Sequence, residues 1–253
     1  MELKNVAAIV TGGASGLGGA TAELLAAQGA KVAIFDLNEE LGQAHAAKIG
    51  GAFFKVNVTD DASVAVAIAA AEAAHGIARV LVNCAGIAIG AKTVGREFAP
   101  HALDSFRKVI EINLIGTFNV ISKFSARAAT LEPLGEERGV IINTASAAAY
   151  DGQIGQAAYA ASKGGVVALT LPVARDLAQY GIRVMTIAPG IFWTPMMSSM
   201  PPAVQEALGK QVPFPSRMGK PEEYAQLVHS IIANPMLNGE VIRLDGAIRM
   251  PPK

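Results

Sequence analysis

The chain has 253 residues, 51% of them hydrophobic, and its 21 basic side chains balance 21 acidic ones, so the formal net charge is zero. This length suits one α/β domain with a sizeable core, and the neutral balance argues against a nucleic-acid partner. Cys84 is the only cysteine and the four histidines are scattered, which excludes an internal disulfide and gives no metal-ligand spacing.

Short apolar runs alternate with longer alanine-rich stretches of helical pattern. The first half of the chain predicts strand Val6–Thr11, helix Gly16–Gln28, strand Lys31–Asp36, helix Glu39–Ile49, strand Phe53–Asn57, helix Asp61–His75 and strand Val80–Asn83. The second half predicts helix Ala102–Ala129, strand Gly139–Asn143, helix Ala157–Tyr180, strand Arg183–Ala188, helix Pro221–Ala233 and strand Glu240–Leu244.

Repeated strand–helix units with such apolar strands predict a doubly wound parallel α/β sheet of the Rossmann type. No linker or repeat divides the chain, so we expect a single domain over residues 1–253. Residues 191–219 are rich in Pro, Met and Ser and are predicted to form a lid over a binding site. No targeting segment precedes the first strand and prolines interrupt the longest uncharged run, so we expect a cytoplasmic protein without a membrane span. The mitochondrial matrix is the alternative location for a eukaryotic protein.

The first strand runs into the glycine-rich segment Thr11–Gly18, which a helix follows. Glycines allow the backbone to approach a pyrophosphate closely, and the N–H groups of a helix N-terminus attract the anion. The Gly-x-x-x-Gly-x-Gly spacing differs from G-x-G-x-x-G, so a plain strand-to-helix turn is the alternative. The predicted phosphate-binding residues are Gly12, Ser15, Gly16, Leu17 and Gly18.

Asp36 ends the second strand, 18 residues after Gly18. A carboxylate there accepts hydrogen bonds from both ribose hydroxyls of an adenosine and repels a 2′-phosphate. Leu37 and Asn38 follow and provide no cation for such a phosphate. We therefore predict NAD(H) rather than NADP(H) as the cofactor, with a helix cap as the alternative role of Asp36.

Two further strand ends are predicted to contact the cofactor. Asn57 and Val58 end the third strand, where the adenine ring would lie, and Cys84, Ala85 and Gly86 follow the fourth strand. Because Cys84, Ala85 and Gly86 have small side chains, a cofactor can lie against the backbone there. We expect Cys84 to behave as a small buried hydrophobic residue rather than as a reactive thiol.

The predicted catalytic residues are Ser146, after the fifth strand, and Tyr159 and Lys163, which lie four residues apart on one face of the next helix. A phenol has a pKa of about 10. Acid–base catalysis near neutral pH therefore requires positive charge beside the phenolate, from Lys163 and from an oxidised nicotinamide. Ser146 would hydrogen-bond the substrate oxygen while Tyr159 exchanges its proton and a hydride moves between substrate and nicotinamide. Each residue alone is more often a packing or capping residue, but the combination favours catalysis.

With these motifs in this order, the chain resembles the short-chain dehydrogenase/reductase family over nearly its whole length. The matching segments are Thr11–Gly18, Asn83–Gly86, Asn113, Ser146, Tyr159-x-x-x-Lys163 and Pro189-Gly190. The resemblance implies that Asn113 helps to hold a water that links Lys163 to a proton relay. A helix kink or a core hydrogen bond is the alternative role of Asn113, and the two are compatible because the family role includes a local kink. It also implies cofactor contacts for Pro189, Phe192 and Thr194. The sequence departs from the family pattern at Asn57, where Asp is common, and at Cys84, where many members have Asn.

Four segments narrow the resemblance to the type II 3-hydroxyacyl-CoA dehydrogenases, also called 17β-hydroxysteroid dehydrogenases of type 10. They are Asn83–Gly86, Gly152–Tyr159, Pro213–Arg217 and Asn238–Met250. The resemblance implies a homotetramer that uses NAD to interconvert L-3-hydroxyacyl-CoA and 3-oxoacyl-CoA in fatty acid metabolism, with some tolerance for steroid alcohols.

The substrate side is less defined by the sequence. Trp193 is predicted to contact the substrate as a wall of the acyl pocket, with a buried lid anchor as the alternative. Lys92, Arg96 and Arg217 are candidates for coenzyme A phosphates, although surface cations are usually only solvated. A broad steroid or secondary-alcohol dehydrogenase is the second enzymatic hypothesis, and a non-enzymatic scaffold is the third.

Overall fold

The computed structural model describes residues 1–194, 197 and 201–252. The predicted lid is therefore described only in part, because residues 195, 196 and 198–200 lie outside this set. The side chain of Val204 also lies outside it.

Seven parallel strands form one sheet. They are β1 (Ala7–Thr11), β2 (Lys31–Asp36), β3 (Ala52–Lys55), β4 (Val80–Asn83), β5 (Gly139–Thr144), β6 (Ile182–Pro189) and β7 (Val241–Leu244). The spatial order is β3-β2-β1-β4-β5-β6-β7, and every neighbouring pair is parallel. The order reverses between β1 and β4, which opens a crevice at their carboxyl ends. The predicted Rossmann-type sheet is confirmed.

Helices cover both faces of the sheet. They are α1 (Gly16–Ala27), α2 (Glu39–Ile49), α3 (Asp61–His75), α4 (Leu103–Ile110), α5 (Gly116–Ala128), α6 (Ala157–Ala178), α7 (Pro202–Lys210) and α8 (Pro221–Ala233). Side chains alternate across each strand. One core joins α3, α5 and α6 to Ile9, Leu81, Ile141 and Val184. The other joins α1 and α8 to Val10, Val82, Ile142 and Met185.

Side chains at the helix N-termini explain where two of these helices begin. Asn38 accepts a hydrogen bond from the Leu41 N–H at the start of α2, and Asp60 accepts one from the Ser63 N–H at the start of α3. Each bond satisfies a backbone donor that has no partner within the helix. α2 ends at Gly50, whose φ of 67° lies in the left-handed region that glycine adopts without strain.

The structure differs from the predicted elements at two places. The single helix predicted over Ala102–Ala129 is interrupted by one π-helical turn, Glu111–Ile115, between α4 and α5. The turn contains Asn113, whose side chain bonds the main chain of Ile87 in both directions, and π-turns of this kind often occur at functional sites. Helix α7 lies within the segment predicted to be irregular. The remaining boundaries differ by one or two residues, as helix and strand ends commonly do.

Helix α6 is long and apolar enough to cross a membrane by length and composition alone. This is weak evidence, because a helix in the core of a globular domain meets the same criteria. α6 packs against β6 and buries the polar residues Ser162, Lys163 and Thr170 inside the domain.

A buried ion pair connects the end of α8 to the sheet. Arg183 on β6 donates from Nε to Glu137 Oε2 at 2.7 Å, and both residues are only 6% exposed. Three of the four remaining guanidinium N–H groups bond the carbonyls of Ile231, Ile232 and Leu237 at 3.0, 3.2 and 2.8 Å. The guanidinium therefore satisfies carbonyls that the end of α8 leaves without helical partners.

We predict that Glu137→Ala lowers the free energy of unfolding by about 3–5 kcal/mol, because it leaves the Arg183 charge buried without its partner. Urea unfolding followed by circular dichroism measures this loss. Glu206→Ala is the matched control: it breaks the exposed ion pair with Lys210, and the unfolding midpoint should stay nearly unchanged. Equal losses in the two variants would contradict the role assigned to the buried pair.

Candidate active site

An open cavity of about 700 Å³ lies at the crevice between the carboxyl ends of the strands. Its volume falls within the range of small-molecule sites. All the residues predicted to bind the cofactor line it, namely Gly12, Ser15, Gly16, Leu17, Gly18, Asp36, Asn57, Val58, Cys84, Ala85, Gly86, Tyr159, Lys163, Pro189, Phe192 and Thr194. Ser146 lines it as well, so the fold brings the predicted cofactor and catalytic groups to one continuous space.

The glycine-rich loop after β1 is closely packed. Gly12 has φ of +64°, and a Cβ atom on Gly18 would lie 2.2 Å from the Gly12 carbonyl oxygen. No residue other than glycine fits at Gly18 without moving the loop. Backbone and helix N-terminus can therefore come close to a ligand here, as the binding of a pyrophosphate requires.

Asp36 is oriented by the loop beside it. Its Oδ2 accepts a hydrogen bond from the Ala14 N–H at 3.1 Å, and its Oδ1 accepts one from the Asn38 N–H at 3.0 Å. Asn38, not Asp36, caps α2. Asp36 is thus held at the wall of the cavity, where it is available to the hydroxyls of a ribose.

Two of the other strand ends that line the cavity are held by hydrogen bonds to nearby residues. Asn57 Oδ1 accepts bonds from both the N–H and the hydroxyl of Thr59, at 3.2 and 2.9 Å. Ala85 donates from its N–H to Thr11 Oγ1 at 3.2 Å, which ties the segment after β4 to the end of β1. Burial raises the pKa of the Cys84 thiol, in keeping with a hydrophobic rather than a reactive role.

Tyr159 and Lys163 lie one turn apart on α6, with Lys163 Nζ 5.9 Å from the centroid of the Tyr159 ring. Lys163 is 5% exposed and donates to the Thr144 carbonyl at 2.7 Å. Burial lowers the pKa of Lys163 to about 8, so most of the lysine remains charged at neutral pH. The cation is therefore placed beside the phenol and held by one backbone acceptor.

Tyr159 carries its proton at neutral pH in the protein alone. Burial raises the pKa of the phenol, and its hydrogen bond with Ser146 opposes that rise only in part. The predicted lowering of this pKa requires an oxidised nicotinamide as well as Lys163 and stays a prediction, because in the protein alone desolvation outweighs the hydrogen bond. The positive charge of an oxidised nicotinamide is the additional contribution that the predicted mechanism includes.

Ser146 lies at the start of a short 3₁₀ turn, Ala147–Ala149, directly after β5. Its Oγ accepts a hydrogen bond from the Ala148 N–H at 3.1 Å, which fixes the rotamer of the side chain. In the protein alone the serine hydroxyl hydrogen-bonds Tyr159, and a substrate oxygen beside Tyr159 would replace it as the acceptor. A substrate oxygen between the two hydroxyls would receive the contacts that the sequence predicted.

Asn113 is fully buried and does not line the cavity among the described residues. Its Oδ1 accepts from the Ile87 N–H at 2.8 Å, and its Nδ2 donates to the Ile87 carbonyl at 2.9 Å and to Ser162 Oγ at 3.0 Å. Asn113 therefore holds the segment after β4 against α6. The part of Asn113 in a water-linked relay stays a prediction.

The predicted substrate contacts are less well placed than the cofactor contacts. Trp193 is 37% exposed and, unlike Phe192 and Thr194 on either side of it, is not among the described residues that line the cavity. The backbone N–H of Trp193 donates to the Gly219 carbonyl at 2.8 Å, and this bond joins the two ends of the predicted lid. Substrate contact by Trp193 remains a prediction.

Several lining residues were not predicted from the sequence. They include Ile87, Ile112, Thr144, Gln156 and Met250, whereas Ile191 and Met197 belong to the segment predicted to form a lid. Gln156 precedes Tyr159 by three residues on the same helical face, so its position could have been inferred. Met250 has no local signal, because it reaches the cavity only through tertiary bonds from Gln153 and Ile154 to the carbonyls of Pro251 and Pro252.

The residues present fit a dinucleotide with a nicotinamide ring. A glycine loop without room for a Cβ lies beside the fixed Asp36 carboxylate, and Tyr159 and Lys163 line the same cavity. Among residues 1–194, 197 and 201–252, no group of three His, Cys, Asp or Glu side chains is placed to hold a metal ion.

Comparison with known proteins agrees with this geometry. Residues 6–205 match the short chain dehydrogenase family model. The chain is 55% identical over 255 residues to 3-hydroxyacyl-CoA dehydrogenase type-2 of Homo sapiens, which covers 99% of this chain and 98% of that protein. The protein of the same name from Drosophila melanogaster is 52% identical over 254 residues, with 99% and 100% covered. The crystal structure of 3-hydroxyacyl-CoA dehydrogenase type-2 from Mycobacterium avium has a TM-score of 0.94 and 44% identity, and both chains are covered completely.

The family match spans more than half of the chain, and the relatives are similar to it from end to end. Members of this family use a nicotinamide cofactor, and the cavity has the loop, the carboxylate and the cation that such a cofactor requires. The chain belongs to the short-chain dehydrogenase family and is an oxidoreductase.

Proposed function

We propose that the protein interconverts L-3-hydroxyacyl-CoA and 3-oxoacyl-CoA with NAD(H). The observation that carries the proposal is the single cavity that joins Asp36 and the glycine loop to Ser146, Tyr159 and Lys163. The names of the relatives at 52–55% identity support the choice of substrate.

A bound nicotinamide supplies the hydride acceptor or donor. Ser146 donates to the substrate oxygen and orients it toward Tyr159. In the oxidation direction Tyr159 accepts the hydroxyl proton, and in the reduction direction it returns that proton to the oxygen. The Lys163 ammonium, held by the Thr144 carbonyl, stabilises the phenolate that oxidation requires.

Asp36 supports NAD(H) rather than NADP(H). Hydrogen bonds from Ala14 and Asn38 fix both carboxylate oxygens, so the charge cannot easily turn away from a 2′-phosphate. Leu37 beside it is exposed and carries no compensating charge.

Apolar side chains on the substrate side fit an acyl chain. Ile89, Ile191, Met197 and Met250 are among the residues that line the cavity. Arg217 is less suited to a coenzyme A phosphate than the sequence suggested, because it forms a two-pronged ion pair with Glu223 at 2.9 and 2.6 Å. A steroid or another secondary alcohol is the second candidate substrate, since the same apolar walls accept a sterol ring.

We also propose a homotetramer in the cytoplasm. Exposed apolar side chains on α5 and α6, among them Phe118 and Leu171, support self-association. A scaffold function would leave the bonded arrangement of Ser146, Tyr159 and Lys163 without a purpose.

The substrate is tested by NAD-linked turnover of acetoacetyl-CoA, L-3-hydroxybutyryl-CoA and a 17β-hydroxysteroid, followed by NADH absorbance. We expect the highest kcat/KM with the CoA esters. Turnover of the steroid without turnover of either CoA ester would replace the proposed substrate with the second candidate.

We predict that Tyr159→Phe lowers kcat at least about 100-fold, which is the usual contribution of a general acid–base group. The Kd for NADH, from fluorescence titration, should stay within about twofold, because the ring is retained and hydrophobic contacts are unchanged. Tyr180→Phe, which changes an exposed tyrosine, is the matched control and should behave as wild type. A Tyr159→Phe enzyme with a tenth of wild-type activity would show that the proton donor is another group.

NADH should bind at least about tenfold more tightly than NADPH, a difference of 1.4 kcal/mol. Asp36→Asn should narrow this ratio by improving NADPH binding, since it removes the repulsive charge but keeps an oxygen acceptor. Isothermal titration of each cofactor with both proteins checks the prediction. Equal or tighter binding of NADPH by the wild type would contradict it.

A further inference from the structure

Tyr224 lies on α8 and is completely buried, although its side chain ends in a hydroxyl. Its ring packs in the core on the α1 side of the sheet, whereas Lys163 approaches from α6 on the opposite side. The Tyr224 hydroxyl reaches the end of β5, where it lies 2.7 Å from Thr144 Oγ1. A buried hydroxyl in a core helix thus contacts the strand end that leads to Ser146.

The hydrogen bonds around Thr144 have one consistent direction. Thr144 Oγ1 has a single proton, and the Asn83 carbonyl at 2.6 Å is an acceptor only, so the threonine donates to it. Tyr224 must then donate to Thr144 Oγ1, and burial keeps the phenol protonated by raising its pKa far above the usual value. The Cys84 thiol lies 3.4 Å from Thr144 Oγ1 and 3.7 Å from the Tyr224 oxygen, and its one proton can go to either oxygen. The direction therefore runs from Tyr224 through Thr144 to the Asn83 carbonyl.

These hydrogen bonds hold Thr144, which has no strand-pairing partner on the β4 side. Pairing between β4 and β5 ends at Asn83 and Asn143, one residue before Thr144. Beyond that point, the bond from the Thr144 hydroxyl to the Asn83 carbonyl replaces the missing ladder contact. Tyr224 fixes this hydroxyl from the other side, so the orientation of Thr144 depends on α8.

The carbonyl of the same Thr144 accepts the hydrogen bond from Lys163 Nζ at 2.7 Å. Two titratable groups face the Lys163 ammonium in addition, the Tyr159 phenol on α6 and the Cys84 thiol after β4. Neither of these carries a negative charge at neutral pH in the protein alone, because burial raises the pKa of each. The Thr144 carbonyl is therefore an important acceptor for the buried cation.

We infer that Tyr224 is a positioning residue for the reaction: its hydroxyl holds Thr144 so that the Thr144 carbonyl stays aligned with the Lys163 ammonium. The inference rests on the proposed role of Tyr159 as the proton-transfer group. Tyr224 does not line the cavity and touches no reacting atom. It acts on Lys163 through Thr144, and through Lys163 on the phenolate.

Tyr224→Phe tests the inference, because it keeps the buried ring and removes only the hydroxyl. Loss of alignment makes the Lys163 ammonium less stable, which lowers the pKa of Lys163 and raises the pKa at which Tyr159 becomes a base. If the lost stabilisation is that of one typical hydrogen bond, about 1 kcal/mol, the apparent pKa of the acidic limb of the kcat/KM profile for oxidation rises by about 0.7. At a given pH on that limb, kcat/KM then falls about fivefold. The KM for NAD should change little, because Tyr224 itself does not line the cavity and its weak contact with Cys84 is made at 3.7 Å.

The shift of the pH profile caused by Tyr224→Phe should disappear when Thr144 has no hydroxyl. In the Thr144→Val background, Tyr224→Phe should move the pH profile no further, whereas independent effects would add. Tyr180→Phe, an exposed tyrosine, is the matched control and should leave the profile unchanged. If Tyr224→Phe lowers the unfolding midpoint but leaves the acidic limb at the wild-type pH, Tyr224 is only a packing residue and the inference is wrong.

A second readout needs no substrate. In protein labelled with ¹³C at lysine Cε, the Lys163 signal is assigned by its loss in Lys163→Met and titrated without cofactor. We expect its midpoint near pH 8 in the wild type and lower in Tyr224→Phe. An unchanged midpoint would overturn the inference. Because this titration is independent of turnover, a failed assay with CoA esters would defeat the proposed substrate without affecting this result.

Discussion

Burial of the central strands on both faces of one parallel sheet is the constraint on which this structure depends. Every residue of β1, β4 and β6 is buried, so these strands have no room for chemistry along their length. Polar and catalytic groups are therefore confined to the carboxyl edge, where each strand passes into a loop or a helix. The reversal of strand order beside β1 then opens that edge into the cavity of about 700 Å³.

Polar contacts beneath the cavity determine how the catalytic groups are held. Asn113 bonds the Ile87 main chain and Ser162, and Thr144 joins the ends of β4 and β5 while its carbonyl holds Lys163. These bonds are 2.6–3.0 Å long and at least partly buried, so each is stronger than the same bond would be in water. The helices on both faces of the sheet contribute, α6 directly and α8 through Tyr224.

Electrostatics in the site reflects a balance between burial and these contacts. Burial disfavours charge on both groups of the pair, and it lowers the pKa of Lys163 while raising that of Tyr159. The pair is thus an ammonium beside a neutral phenol at neutral pH. Proton transfer to and from substrate requires only that the phenolate form becomes accessible when positive charge is added to the site.

The sequence by itself determined the βα alternation, the glycine loop, Asp36 and the spacing of Tyr159 and Lys163, because these features depend on local periodicity and on residues close in the chain. It did not determine the partner of Asn113 in the π-turn, the main chain of Ile87, 26 residues away. It also missed Met250 and Tyr224, which reach the site from the last elements of the chain. Only tertiary packing brings such distant residues together, since no local pattern records which strand end or carbonyl they will meet.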